Sequence, residues 1–257
     1  SALIAEAAQA IPQVLTAQNK NSDREQLGLD DIERLAEEAE KAEEAGNYQK
    51  AIDILEQALE HAEKELGPDH PYTAAMLNDL AGLYTDQGLY SEAESFYQRV
   101  LAIREKILGP VHLDTAESLN DIAFLYKLQG NYSQAEDLLL RALAIREKAL
   151  GAEHEDTAMT FYYLATVYDD QALYIKAEAL YLRTLGIRER VLGAKHPDTA
   201  ASLYSLAEIY VTQGLLDKAE PLYLRALSIE EEVLGPEHPY TALSLSALGV
   251  FYEEQGL

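Results

Sequence analysis

The sequence contains no cysteine and no tryptophan, and its 45 acidic residues far outnumber its 20 basic ones. Without cysteine, the chain can form neither a disulfide framework nor a thiolate site. The formal net charge of −25 disfavours nucleic acids and anionic membranes, because both are bound through lysine- and arginine-rich surfaces. No apolar run reaches the roughly 20 residues of a membrane helix, and no intact signal peptide is visible. We therefore expect an acidic, cytoplasmic protein that binds neither nucleic acid nor membrane.

An internal repeat of 42 residues is the most informative feature of what is present. The motif Leu-Gly-x-x-His-x-x-Thr-Ala occurs five times, and its histidines are His70, His112, His154, His196 and His238. A shared metal site needs several nitrogens about 2 Å from one ion, whereas equivalent stacked helices lie roughly 8–10 Å apart. We therefore predict that each histidine makes local hydrogen bonds or packing contacts where a helix begins, and that the chain holds no metal or cofactor.

Each repeat contains two helical patterns separated by a turn. Leu77, Leu80, Ala81 and Tyr84 fall on one face of the first helix and form an apolar stripe. A repeated glycine, such as Gly88, ends this helix because it can adopt the left-handed conformation. The repeat is therefore predicted to be a helix pair.

The second helix carries serine, glutamate and arginine at repeated positions. Ser91 is predicted to cap it, with Glu94 as the reciprocal partner of a capping box. Arginine occupies two repeated positions with acids interspersed around them, Arg99, Arg141, Arg183 and Arg225 at the first and Arg104, Arg146 and Arg188 at the second. We predict that these arginines lie on exposed faces and make modest surface ion pairs.

This arrangement resembles the tetratricopeptide repeat, and the positions that carry the resemblance are Leu77, Leu80, Ala81, Tyr84, Gly88, Tyr90, Ala93, Tyr97 and Val100. The 42-residue spacing is similar to the long variant of kinesin light chains and of many bacterial scaffolds, cyanobacterial ones included. The resemblance implies an all-α fold, a right-handed α-α superhelix of antiparallel helix pairs. It also implies that the first helices line a concave groove that binds peptides or partner segments.

The domain organisation follows from the period. Residues 1–28 are predicted to form an N-terminal helix and a polar connector, and residues 29–257 to form the repeat array. The repeats span about residues 30–71, 72–113, 114–155, 156–197 and 198–239, followed by a half repeat at 240–257. Because the final helix lacks a partner and exposes an apolar face, we expect the native protein to continue or this end to self-associate.

Positions opposite the apolar stripe vary between repeats and are predicted to face the groove. The predicted binding residues are Asn78, Asn120, Phe124, Lys127, Tyr162, Tyr163, Thr166, Asp169, Tyr204 and Glu208. Asparagine can donate to and accept from a peptide backbone, and aromatic rings are frequent binding hot spots. The alternative is that some rings, including Phe161, pack between adjacent helices. Acidic residues at the ends of first helices indicate either a rim for a basic partner or solvated polar ends.

No catalytic motif is present: the sequence lacks a phosphate loop, a GxGxxG after a strand, an HExxH and a GxSxG. We therefore predict a non-catalytic scaffold that binds a protein or peptide, basic or aromatic-containing, in the groove. The alternative is a self-associating or regulatory module of a larger bacterial signalling protein.

Overall fold

A computed structural model describes residues 22–255, and every regular element within that range is an α-helix. The chain divides into two compact units, Ser1–Gln129 and Gly130–Leu257. The first unit contains α1 Ser22–Glu44, α2 Tyr48–Glu65, α3 Pro71–Asp86, α4 Tyr90–Ile107 and α5 Leu113–Leu128. The second contains α6 Tyr132–Leu150, α7 Glu155–Asp170, α8 Tyr174–Val191, α9 Pro197–Thr212, α10 Leu216–Val233 and α11 Pro239–Glu254. The all-α prediction is confirmed.

Odd-numbered helices are the first helices of the repeats, and even-numbered helices are the second. Helix α3 ends at Asp86 and α4 begins at Tyr90, so only a short turn joins the pair. Gly88 has a φ of 73°, and the N–H of Leu89 donates to the carbonyl of Tyr84 at 2.9 Å, which closes the turn. Such a short connection makes the two helices antiparallel neighbours. Helices α1 and α2, α7 and α8, and α9 and α10 form equivalent pairs.

Ala172 occupies the glycine position of the turn between α7 and α8. Its φ is 58°, and among residues 22–255 no other residue except glycine has a positive φ. The turn closes as elsewhere, because the N–H of Leu173 donates to the carbonyl of Tyr168 at 2.8 Å. A side chain in this conformation is strained, since its Cβ approaches the following carbonyl.

The predicted apolar stripe forms the core. Leu77, Leu80 and Ala81 have no exposed surface, and Tyr84 is half-buried. Each fully buried leucine contributes about 2 kcal/mol of hydrophobic free energy. The second helices contribute a fully buried alanine at one repeated position, represented by Ala51, Ala93, Ala135, Ala177 and Ala219. These small side chains allow the paired helices to approach closely.

The motif histidines are N-caps. In all five copies the Nδ1 atom accepts the backbone N–H two residues later at 3.2 Å, as in the bond from Tyr72 to His70. Nδ1 can accept only while it is unprotonated. Burial lowers the pKa of His70, which favours that form. The predicted local role of the histidines at the start of a helix is confirmed.

The threonine and glycine of the motif complete the joint between repeats. Gly67 has a φ of 103°, and its carbonyl accepts a hydrogen bond from the Thr73 hydroxyl at 2.8 Å. Thr199 makes the same bond to Gly193 at 2.9 Å in the second unit. The motif is therefore a hydrogen-bonded connection between a second helix and the next first helix.

The predicted capping box is wrong. Helix α4 begins at Tyr90 with Leu89 as its N-cap, and no side chain caps it. Glu94 instead accepts a hydrogen bond from the Tyr126 hydroxyl at 2.9 Å. The physical reason is that Tyr126, on the first helix of the next repeat, places its hydroxyl beside the Glu94 carboxylate and donates to it.

The same tyrosine–glutamate contact recurs in the second unit. The Tyr168 hydroxyl donates to Glu136 at 2.6 Å. Burial, followed by this hydrogen bond, raises the pKa of Tyr168 to about 12. The contact therefore joins each second helix to the first helix that follows it.

The predicted N-terminal helix lies outside the described residues. Helix α1 begins at Ser22, inside the segment that we predicted as the end of a polar connector. The helix predicted for the N-terminal segment therefore stays a prediction.

Replacing His70 with alanine removes the cap and should lower the free energy of unfolding by about 1 kcal/mol. Asparagine can supply the same acceptor, so His70→Asn should retain most of the stability. Because the folded pKa of His70 is lowered, its contribution is lost as the pH falls through that value, and asparagine lacks this dependence. Urea unfolding at pH 7 and pH 5 should show His70→Asn gaining relative to the native chain at pH 5. Equal stability of the alanine and asparagine variants at pH 7 would contradict the cap.

Ala172→Gly should stabilise the second unit by about 1 kcal/mol, because glycine adopts positive φ without strain. The matched reverse change is Gly214→Ala, at a φ of 73° with no atom within 4 Å of the added Cβ. It should destabilise by a similar amount through the dihedral alone. Both are measured by urea unfolding followed by circular dichroism; shifts of the same sign would refute the dihedral explanation.

Candidate functional site

Three first helices of the second unit, α7, α9 and α11, contribute side chains to a cavity of about 450 Å³. Tyr162, Tyr163 and Tyr204, all predicted groove residues, line it together with Met159 and Leu243. Tyr162 and Tyr204 occupy the same position in successive repeats. The stacking of the repeats therefore brings predicted groove residues from separate helices to one site.

Tyr162 is held in place by contacts on three sides. Its hydroxyl lies 2.9 Å from the Ser205 Oγ, within hydrogen-bonding distance. Its ring packs edge-to-face on Tyr181 with centroids 5.4 Å apart, and the Arg188 guanidinium lies 5.2 Å from its centroid. The Tyr162 side chain is therefore held in one orientation without a ligand.

Phe161 belongs to the core and not to the cavity. Only 1% of its surface is exposed, and the Arg183 guanidinium lies 3.9 Å from its ring centroid. The alternative interpretation, packing between helices, holds for this ring.

Tyr204 also borders a second cavity of about 300 Å³, which Glu208 and Val250 line as well. The Tyr204 ring packs edge-to-face on Tyr223 with centroids 5.7 Å apart. The Tyr223 hydroxyl donates to Glu208. Burial, reinforced by Glu208, raises the pKa of Tyr204 to about 12, so the phenol stays neutral at physiological pH.

The predicted asparagines are placed differently in the first unit. Asn78 is half-buried and lines a cavity of about 210 Å³ together with Glu40, Glu43 and Asp86. Burial is the main cause that raises the pKa of Glu43. Asn120 is only 2% exposed, so this conformation does not present its side chain to a peptide.

The remaining predicted residues are spread over α5 and α7. Phe124 is 41% exposed and Lys127 is half-buried, both in the first unit. Thr166 and Asp169 are half-buried in the second unit, and the Thr166 hydroxyl donates to the Tyr163 carbonyl at 2.8 Å. Within the second unit, Tyr162, Tyr163 and Tyr204 are the predicted residues that share the 450 Å³ cavity.

A family model of the tetratricopeptide repeat matches residues 34–106, 72–148, 114–183, 156–229 and 206–257. The chain belongs to the tetratricopeptide repeat (TPR) family. Repeats of this family generally mediate protein–protein interactions. The predicted family resemblance and the all-α fold of helix pairs that it implied are confirmed.

Solved structures share the fold. The kinesin light chain-like protein of Podosopora anserina with nearly identical TPR-like repeats is 28% identical, with a TM-score of 0.64 over 78% of this chain and 95% of that one. BtubC (BKLC) from P. vanneervenii is 24% identical, with a TM-score of 0.69 over 93% and 94%. The apo form of RapI is 17% identical, with a TM-score of 0.68 over 86% and 77%. The last two show the fold alone. No curated protein matches the chain.

The repeated arginine position of this TPR chain is not the exposed face that we predicted. Arg146 and Arg188 are only 4% and 5% exposed. Arg188 donates to the Asp198 carbonyl at 3.0 Å and to the Ser202 hydroxyl at 3.1 Å, and its Nε pairs with Glu155 at 2.9 Å. The prediction is wrong because a long arginine side chain can bury its aliphatic stem while its guanidinium forms hydrogen bonds with neighbouring first helices.

A sequence signal for this contact exists. The carbonyl acceptors lie 10 residues after each arginine and the hydroxyl acceptors 14 residues after it. The repeated hydroxyls are Ser118, Thr160 and Ser202. By contrast, the arginine position that begins with Arg99 is exposed in the first copies and pairs with glutamate as predicted, for example Arg99 with Glu63 at 2.6 Å.

Glu230 takes the arginine position in the last complete repeat, and sequence reasoning missed it. It is 5% exposed and lines the 450 Å³ cavity. Its Oε2 atom and the Ser244 hydroxyl are buried without a hydrogen-bond partner. Burial raises the pKa of Glu230; a contact from the Ser244 hydroxyl that falls short of hydrogen-bond geometry, and then the charge of His238, oppose that rise. A buried carboxylate oxygen without a donor is costly to the folded state.

Residues 22–255 contain no group of three or more histidine, cysteine, aspartate or glutamate side chains arranged to hold a metal ion. Nor does any described helix combine the length and apolarity of a membrane-spanning segment.

Glu230→Gln should stabilise the protein at neutral pH and raise its melting temperature by about 2 °C or more. The folded pKa of Glu230 is raised, so the native chain loses stability as the pH rises through the unfolded and folded pKa values. The advantage of glutamine should therefore be small at pH 4 and largest above pH 7.

Glu231→Gln is the matched control for this change, because Glu231 is an exposed neighbour on α10. It should leave the melting temperature unchanged across the same pH range in differential scanning fluorimetry. A native chain that melts no lower than Glu230→Gln at pH 7.5 would show that the carboxylate is fully satisfied.

Proposed function

We propose that this chain is a non-catalytic scaffold whose α7, α9 and α11 bind an extended segment of a partner protein. The observation that carries the proposal is the 450 Å³ cavity in which Tyr162, Tyr163 and Tyr204 converge. The general role of TPR repeats in protein–protein interaction supports it.

The orientation of the tyrosines favours binding. Tyr162 is fixed by Ser205 and Tyr181, and Tyr204 packs against Tyr223, so little side-chain entropy is lost when a ligand binds. Tyrosine is enriched among binding hot spots because it combines a large apolar ring with a polar tip. The cavity therefore suits a peptide side chain that can pack on rings.

The charges of the three first helices that contribute to the cavity favour a basic partner. Helices α7, α9 and α11 contain no lysine or arginine. Their acidic residues include Glu155, Asp156, Asp169, Asp170, Asp198, Glu208 and Glu253. Charge complementarity of this kind raises association rates and excludes acidic competitors. Self-association through residues 240–257 stays a prediction.

Tyr162→Ala should lower the affinity for bound peptides at least tenfold. The probes are 12-residue peptides selected from a random library on the native chain and then synthesised with a fluorophore. Their affinities are measured by fluorescence anisotropy. Tyr162→Phe keeps the ring and loses the hydroxyl, so it should change affinity less than threefold.

The surface control is Ile175→Ala, because Ile175 is 85% exposed on α8 and does not line the cavity. Circular dichroism confirms that each variant is folded. Unchanged affinity of a folded Tyr162→Ala variant for every selected peptide would refute binding at this cavity.

A further inference from the structure

The second helices carry arginine at one repeated position in the second, third and fourth repeats and a glutamate in the fifth. Arg104, Arg146 and Arg188 each donate to a backbone carbonyl and to a hydroxyl of the following first helix. Glu230 stands one period after Arg188. A carboxylate cannot donate to those acceptors, so the fifth repeat lacks the cation that satisfies them in the other three.

The acceptors around Glu230 are left without that donor. Its Oε2 atom has no hydrogen-bond partner, and the Ser244 hydroxyl, which corresponds to Ser202, has none either. Glu230 is 5% exposed and Ser244 is 1% exposed, so both side chains are almost completely shielded from solvent. A buried carboxylate oxygen and a buried hydroxyl oxygen can both accept N–H bonds, so the group that would satisfy them together is a cation with several N–H bonds.

The cavity supplies the room and the walls for such a group. Glu230 and Ser244 line the same 450 Å³ space as Tyr162, Tyr204 and Tyr240. Aromatic faces attract lysine and arginine cations, and more strongly when the contact is desolvated. Tyr240 is 63% exposed, so a ligand can reach it from solvent.

The cation already in the cavity does not fill this role. Arg188 also lines the space, but its guanidinium is bound to Glu155, to the Asp198 carbonyl and to the Ser202 hydroxyl. Glu230 takes part in no ion pair within residues 22–255. Apart from His238, whose charge opposes the raised pKa of Glu230, the basic group that this site lacks would come from outside the described residues.

We propose that Glu230 and Ser244 bind the ammonium or guanidinium of a lysine or arginine from a partner peptide, with Tyr162 and Tyr204 packing on its aliphatic stem. This inference rests on the proposed peptide-binding function and names the side chain that the cavity selects. Ser244 accepts one N–H bond, and the Glu230 carboxylate neutralises the charge.

The test compares peptide selections on three proteins: the native chain, Glu230→Gln and Glu231→Gln. The probe is a random library of 12-residue peptides. Peptides selected on the native chain and on Glu231→Gln should carry lysine or arginine at one fixed position. Selection on Glu230→Gln should lose that preference, because glutamine keeps the shape of the side chain and removes its charge.

A double-mutant cycle then isolates the contact. Replacing the selected lysine with norleucine, or arginine with citrulline, should weaken binding to the native chain at least tenfold. The same replacement should weaken binding to Glu230→Gln less than twofold. Glu231→Gln should behave as the native chain does, which excludes a general effect of net charge.

The outcomes separate the two proposals. If selected peptides lose affinity on Tyr162→Ala but carry no fixed basic residue, or bind Glu230→Gln equally well, this inference fails and the proposed function stands. If no peptide binds the native chain, both fail.

Discussion

The joint between consecutive repeats is the constraint on which the rest of the structure depends. Within one joint, Gly67 turns the backbone, His70 caps the next helix, and Thr73 donates to the glycine carbonyl. These bonds fix where each first helix starts relative to the preceding second helix. Since a single helix pair cannot bury its own apolar stripe, neighbouring repeats in a unit must meet in a set geometry. The joint provides that geometry, and every repeated position consequently returns to similar surroundings.

The buried arginines use the same regularity. Taking a guanidinium out of water is costly unless its donors are satisfied and its charge is paired. Arg188 meets this requirement through a carbonyl, a hydroxyl and the Glu155 carboxylate, all on α7 or α9. It therefore links its helix to the first helices packed on either side of it. Tyr168 and Glu136 add a second polar contact of this kind.

The sequence is sufficient to predict the helix pairs, the glycine stops and the role of the histidines, because each depends on local spacing. It was insufficient where a side chain chooses between a local and a tertiary partner. Glu94 follows Ser91 at the spacing of a capping box, yet it accepts a hydrogen bond from Tyr126 on the next helix. Asn120 lies opposite the apolar stripe, yet it is buried. For the candidate site, the repeated position of Tyr162 and Tyr204 was predictable, whereas the burial of Glu230 depended on packing that no local pattern reports.

A repeat array can create a binding site by changing one side chain, because the backbone and the acceptors around it are already built. The hydroxyl that accepts from arginine in other repeats is retained here as Ser244. The residue beside it is Glu230, so the charge at the arginine position is reversed. Glutamine or methionine would satisfy the folded state there at lower cost, since neither buries a charge. In the proposed complex, a cation that enters the cavity would offset the stability lost by keeping a carboxylate. The Glu230 carboxylate thus lowers the stability of the free protein and, in our proposal, binds the cation. The ligand is then specified by the one side chain that differs from the repeat.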